Sequence, residues 1–166
     1  MIKVLFVCLG NICRSPMAEG IFKKLLKEEG LENKVMVDSA GTGSWHIGEL
    51  PDRRTRQTAE KHGILLNSRA RQIHREDFEI FDYILVADRS NLRDVERLAQ
   101  GCPHAKSKIM LIRAFDPIAP QSEVPDPYYG DLSDFEEVYQ ILDRSLRPFL
   151  DFIKKEHSEL LQEMPS

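Results

Sequence analysis

Lys3-Val4-Leu5-Phe6-Val7-Cys8-Leu9-Gly10-Asn11-Ile12-Cys13-Arg14-Ser15-Pro16-Met17 carries three patterns in succession. Lys3–Val7 is almost wholly apolar, which suits a strand covered on both faces. Ser15 followed by Pro16 reads as a helix start, with the serine as N-cap and the proline at the first helical position. Met17, Ile21, Phe22, Leu25 and Leu26 then recur at helical spacing, and Gly30 marks that helix's end. A buried strand that passes through a tight Gly/Asn loop into a helix is the opening unit of an α/β layer fold.

The same alternation continues along the chain. Lys34–Val37, Tyr83–Ala87 and Lys108–Ile112 are further short apolar, β-branched runs. Between them, a polar helix is predicted from about Asp52 to Gly63, and another from Ser90 through Leu92, Val95 and Leu98 to Gly101. Ser133-Asp134-Phe135-Glu136 has the form of a capping box. It opens a helix whose apolar face is Phe135, Val138, Leu142, Leu146, Phe149 and Ile153, with Pro148 expected to kink or break it. Strands separated by helices predict an α/β sandwich around a parallel sheet. Residues 1–156 are expected to form one domain and 157–166 a frayed tail.

The 166 residues suffice for one domain with a real core. Hydrophobic residues at 42% and charged residues at 30% exclude a disordered or collagen-like chain. No run nears the ~20 apolar residues of a membrane span, and Met1–Val7 is too short for a signal peptide. A net charge of −4 argues against a general nucleic-acid binder. Three cysteines without framework spacing fit a reducing compartment, so a cytoplasmic location is expected. The histidines at 46, 62, 74, 104 and 157 lack metal-ligand spacing, and neither a metal nor another cofactor is expected.

Ligands of parallel α/β folds bind beyond the carboxyl ends of the strands. The loop Cys8–Ser15 lies at such an end. Its backbone N–H groups and the following helix N-terminus suit an anion. Arg14 offers a two-pronged donor that matches phosphate. A thiol in such a field ionises readily, so Cys8 reads as a nucleophile aimed at phosphorus, with the Ser15 hydroxyl beside it. The long segment Ala114–Leu132 is the second candidate, and it holds four of the nine prolines. There Asp126, between Pro125 and Pro127, is the candidate proton donor, and Tyr128 and Tyr129 could line a slot for an aryl ring. Arg53, Arg54 and Arg56 form a basic patch that reads as a solvated face, with docking of an acidic partner as the other possibility. Cys102 reads as a spare thiol.

CLGNICRSPMAE, VDSAGT, SWHIG, ARQI, FDYILVAD and DPYYG follow one another here in the order seen in low-molecular-weight protein tyrosine phosphatases. The chain resembles that family from about Val4 to Phe152. The resemblance implies a four-stranded parallel twisted sheet with helices on both faces, a Rossmann-like three-layer sandwich. It also implies that Cys8 is the nucleophile, Arg14 the phosphate clamp and Asp126 the general acid. Leu9, Gly10, Asn11, Ile12, Cys13 and Ser15 belong to the phosphate loop. Asn11 is similar to the residue whose strained backbone shapes that loop, Ser39 to its hydrogen-bond support, and Trp45, Tyr128 and Tyr129 to the slot walls. Cys13 resembles the second loop cysteine, which forms a protective disulfide with the nucleophile. His46 sits where the family tunes substrate choice. Ser68 replaces a histidine found in some relatives, so no His–Asp pairing with Asp88 is carried over. The implied substrates are phosphotyrosine proteins and small aryl phosphates, with inorganic phosphate as product and no nucleic acid or membrane partner. Three competitors share these features. A protein-arginine phosphatase carries threonine where this chain has Ile12. A thiol-dependent arsenate reductase needs two further relay cysteines, and this chain offers only Cys102. A non-catalytic phosphate-binding module has little use for Cys8 and Asp126 together.

Overall fold

A computed structural model describes residues 1–162. Strands β1 (Ile2–Cys8), β2 (Val35–Gly41), β3 (Tyr83–Val86) and β4 (Lys108–Leu111) form one parallel sheet in the order β2-β1-β3-β4. Helices α1 (Arg14–Glu28), α2 (Arg53–Lys61), α3 (Asp77–Ile80), α4 (Arg89–Gln100) and α5 (Leu132–Glu156) alternate with the strands, and a 3-10 turn spans Ile112–Phe115. Side chains along a strand point to opposite faces in turn, so β1 feeds two cores. Ile2, Val4, Phe6 and Cys8 face the layer of α1 and α5, with Phe22 and Phe149. Leu5 and Val7 face the other layer, with Phe78 and with Val95 of α4. This double burial explains why the strands read as continuous apolar runs. No helix among the described residues is long and apolar enough to cross a membrane.

Several local readings are corrected by the structure. Ser15 does not cap α1; Cys13 occupies the N-cap position and no side chain caps it. The helix therefore begins two residues earlier, at Arg14 inside the Cys8–Ser15 loop, and the Ser15 hydroxyl is free for Cys8. β2 runs on past Val37 because Asp38 and Ser39 continue the pairing with β1, although their polarity interrupts the apolar run. The capping box of α5 is formed by Asp131 and Asp134, not by Ser133 and Glu136. Glu136 instead meets His62, the residue that follows α2, at 3.0 Å. Pro148 does not break α5, which continues for two more turns under the packing of Phe149 and Ile153. Part of the expected frayed tail is helical, as α6 (Ser158–Gln162), and His157 Nε2 lies 2.8 Å from the Tyr83 hydroxyl. Residues 163–166 lie outside the described residues. The end of α1 follows the sequence: Gly30 adopts φ +69°, and Gly30 and Leu31 return N–H bonds to Lys27 and Leu26, a Schellman closure.

The sheet order makes β1 and β3 neighbours whose connections leave in opposite directions, so a crevice opens at their carboxyl ends. The segment carrying Asp126 is anchored beside it by buried Asp116. Arg113 Nε and Arg144 Nε reach the Asp116 carboxylate at 2.9 and 3.0 Å, and the Ile118 N–H donates at 2.9 Å. Burial alone would raise this carboxyl, but the bonds from Arg144, Ile118 and Arg113 outweigh it and hold the pKa at about 2, down from 3.8. A carboxyl depressed in the fold stabilises it above the unfolded pKa, and that contribution is lost as pH falls toward the folded value. About 2 kcal/mol is expected at neutral pH. Denaturant unfolding of Asp116→Asn should show that deficit at pH 5–7, with the gap to the parent closing by about pH 2. A gap independent of pH would assign the loss to packing.

Candidate active site

The loop between β1 and α1 is held from outside by its carbonyls. Cys8 O, Leu9 O and Ile12 O accept the N–H groups of Thr42, Gly43 and Asp52 at 2.7–2.9 Å. A trans peptide sets its N–H opposite its C=O, so the amides of Leu9, Gly10 and Cys13 point away from these contacts, and all three residues line the pocket at the strand ends. Gly41, the last residue of β2, makes this fit possible. A Cβ there would stand 2.8 Å from Leu9 O and 3.1 Å from Asn11 N.

Asn11 adopts φ +58°, a left-handed conformation costly for a side-chain-bearing residue. Its buried side chain is fixed at both ends. Nδ2 donates to Ser15 Oγ at 2.8 Å and to Ser39 Oγ at 3.0 Å, while Oδ1 accepts the Arg71 N–H at 3.0 Å. Ser39 Oγ in turn donates to buried Glu19 at 2.6 Å. Asn11, Ser15 and Ser39 thus form the floor beneath the loop.

Cys8 Sγ lies 3.0 Å from Ser15 Oγ and accepts the Ser15 N–H at 3.4 Å. The Arg14 guanidinium is buried. Its Nη1 donates to Asp88 Oδ2 at 2.8 Å and to the Val124 carbonyl at 2.9 Å, and its Nη2 stands 3.8 Å from Asp126 Oδ2. Burial alone would lower the Arg14 pKa, but negative charge on Cys8 and the Asp88 bond outweigh it and raise the value. Asp88 also caps α4 through the Asn91 N–H, so its orientation is set twice over. Asp126 itself is half exposed and accepts the Tyr128 N–H at 3.1 Å. Burial pushes the Cys13 thiol up to about 12, so it stays protonated at neutral pH and does not compete as a nucleophile. All three cysteines are free thiols.

These groups surround a pocket of about 280 Å³. Cys8, Arg14 and the loop residues Leu9, Gly10, Ile12 and Cys13 line its base; Trp45, His46, Tyr128 and Asp126 line its walls and mouth. Tyr129 also reaches the rim but is 95% exposed, so its ring gains little from the protein except an edge contact with Tyr128 at 4.9 Å. Trp45 lies over Gly43, where a Cβ would strike its ring.

Glu19, Arg71 and Asp88 lie within the motifs CLGNICRSPMAE, ARQI and FDYILVAD and Val124 lies just before Asp126, but nothing local to any of them shows that it supports the site. Of the basic residues expected on a solvated face, Arg53 is exposed, but the Arg54 guanidinium is tied to the Asp126 loop.

The model of the low molecular weight phosphotyrosine protein phosphatase family matches residues 3–159. The chain is 50% identical over 149 residues to the low molecular weight phosphotyrosine protein phosphatase of Gallus gallus, covering 90% of this chain and 94% of that protein. Among solved structures, YfkJ from Bacillus subtilis superposes with a TM-score of 0.86 at 42% identity, over 94% of this chain and 96% of that one. DARP, a Drosophila arginine phosphatase, superposes at 0.88 with 38% identity, over 92% and 98%. The match of the family model to nearly the whole chain, and half of all aligned residues shared with a curated member, show that this chain belongs to the low molecular weight protein tyrosine phosphatases, a family of hydrolases.

Proposed function

We propose that this chain removes phosphate from phosphotyrosine in proteins and from small aryl phosphates, through a phosphocysteine on Cys8. The observation that carries the reading is the convergence of three groups on one pocket. Cys8 Sγ lies at its base, the Arg14 guanidinium is fixed beside it, and the Asp126 carboxyl lies 3.8 Å from Arg14 Nη2.

In the first step the Cys8 thiolate attacks phosphorus in line with the ester oxygen. The P–O bond breaks as the P–S bond forms, and Asp126 gives its proton to the departing phenolate. In the second step Asp126, now a carboxylate, takes a proton from water as that water attacks phosphorus. Inorganic phosphate leaves, and the thiolate is restored to its place beside Ser15 Oγ. Arg14 and the loop amides stabilise the charge on the equatorial oxygens in both steps. Every group this chemistry needs comes from the chain itself. The three cysteines lack disulfide-framework spacing, which supports a reducing compartment such as the cytoplasm.

Phosphoarginine is the competing substrate, because DARP, a fold neighbour, is described as an arginine phosphatase. Ile12 and the aromatic walls Trp45 and Tyr128 favour the planar phenol ring. Asp126→Asn is expected to slow phenyl phosphate and phosphotyrosine by ~10²–10⁴-fold. The loss should shrink for 4-nitrophenyl phosphate, whose phenolate leaves without help. Equal losses along the leaving-group series would make Asp126 a binding residue. A parent enzyme faster on phosphoarginine than on phosphotyrosine would overturn the substrate assignment.

A further inference from the structure

Asp126 sits on an exposed loop, and its only side-chain bond within that loop is from the Tyr128 N–H. General-acid catalysis needs more: the carboxyl must stay within hydrogen-bond reach of the leaving oxygen. What holds the loop lies on α2. Arg54 Nη2 donates to the Tyr128 carbonyl at 2.8 Å, and Nη1 donates to the Gly130 carbonyl at 3.0 Å. The same guanidinium forks onto Asp52, Nε to Oδ1 at 3.1 Å and Nη2 to Oδ2 at 3.0 Å. It lies over the rings of Phe135 and Tyr128, at 4.5 and 5.8 Å.

Asp52 is itself fastened to the phosphate loop, because its N–H donates to Ile12 O at 2.7 Å. Burial would raise the Asp52 carboxyl, but the bonds from Arg54 outweigh it and keep the group ionised and below its ordinary range. Phe135 is buried against Ile12 and Cys13. A continuous set of contacts therefore runs from the phosphate loop through Asp52 and Arg54 to both sides of the turn that follows Asp126.

We propose that Arg54 is a positioning residue for the general acid, setting the distance between Asp126 and the phosphate loop through the carbonyls of Tyr128 and Gly130. The inference rests on the proposed role of Asp126. Lysine cannot replace this residue, since one ammonium cannot hold a carboxylate in a fork and two carbonyls at once.

The test measures kcat/KM on phenyl phosphate and 4-nitrophenyl phosphate for the parent, Arg54→Ala, Arg54→Lys, Asp126→Asn and Arg54→Ala/Asp126→Asn. A loop shifted by an ångström is expected to cost about 10- to 100-fold on phenyl phosphate, and several-fold less on the nitrophenyl ester. Arg54→Lys should recover only part of the loss. In the Asp126→Asn background, Arg54→Ala should add less than about twofold, since coupled residues are not additive. Equal losses on both esters, or the same factor with and without Asp126, would overturn the proposal and leave Arg54 a merely structural residue. Should Arg54→Ala fail to fold, as judged by its melting transition, Arg54→Lys carries the same comparisons. If Asp126→Asn alone shows no leaving-group dependence, the acid assignment falls and this inference with it. If Asp126→Asn shows that dependence and the Arg54 variants do not, only the inference on Arg54 fails.

Discussion

Cys8→Ser is expected to lower turnover of phosphotyrosine and aryl phosphates by on the order of 10⁴–10⁶-fold, the scale of a lost nucleophile, while oxyanions still bind. The two halves of this expectation have separate structural causes. Attack on phosphorus needs the Cys8 thiolate, and a serine hydroxyl at that position stays protonated at neutral pH. Binding rests on the loop amides and on Arg14, whose guanidinium is held by Asp88 and Val124 independently of residue 8. The serine Oγ would still find Ser15 Oγ as a partner, so the loop keeps its shape. Steady-state assays on a preparation free of parent enzyme, beside calorimetric titration with phosphate or tungstate, check both halves. Residual hydrolysis within about tenfold of the parent would rule out a covalent cysteine intermediate. Loss of oxyanion binding would mean that the thiolate organises the cradle.

Arg14→Lys is the second large effect, expected at about 10³–10⁵-fold in kcat, the range for a guanidinium that stabilises a transferring phosphoryl group. Arg14 does two things at once. Nη1 satisfies Asp88 and the Val124 carbonyl, both from distant segments, and the remaining N–H groups of the fork can reach phosphate. One ammonium cannot serve both sides. If lysine turns toward Asp88, phosphate loses its clamp; if it turns toward phosphate, the Asp88 carboxylate and a buried carbonyl lose their partner. A fall in melting temperature would accompany the kinetic loss in the second case only. Near-normal kcat would place the clamp elsewhere in the pocket.

The positions of Cys8 and Arg14 are legible from sequence for a physical reason. They lie on one short loop between a strand and a helix, and the backbone of that loop alone brings them together. Asp126 is legible by a weaker route, through flanking prolines and the paired tyrosines. Asp88 was not legible as a site residue. The helix expected from Ser90 begins at Arg89, and Asp88 caps it through Asn91; its second oxygen meets Arg14 only because β3 lies beside β1. Arg54 shows the opposite error. Among Arg53, Arg54 and Arg56 on a polar helix, nothing local marks the middle one, and its carbonyl partners lie 74 and 76 residues away.

The sequence by itself determined the layer fold, the four strands and the tight loop from Cys8 to Ser15 that joins β1 to α1, because apolar runs, helical periodicity and a Gly/Asn turn act over a few residues. Short-range rules also misplaced two helix starts. Ser15 and Ser133 both look like capping residues, yet the curl of the loop commits Ser15 to Cys8, and Asp131 takes the cap of α5. Only the tertiary structure decided which charged side chains stay in solvent and which hold the site. Arg14 to Val124, Asn11 to Arg71 and Arg54 to Gly130 join segments 60 to 110 residues apart. A hydrogen bond across such a distance depends on the whole chain having already packed, and no local pattern encodes its partner.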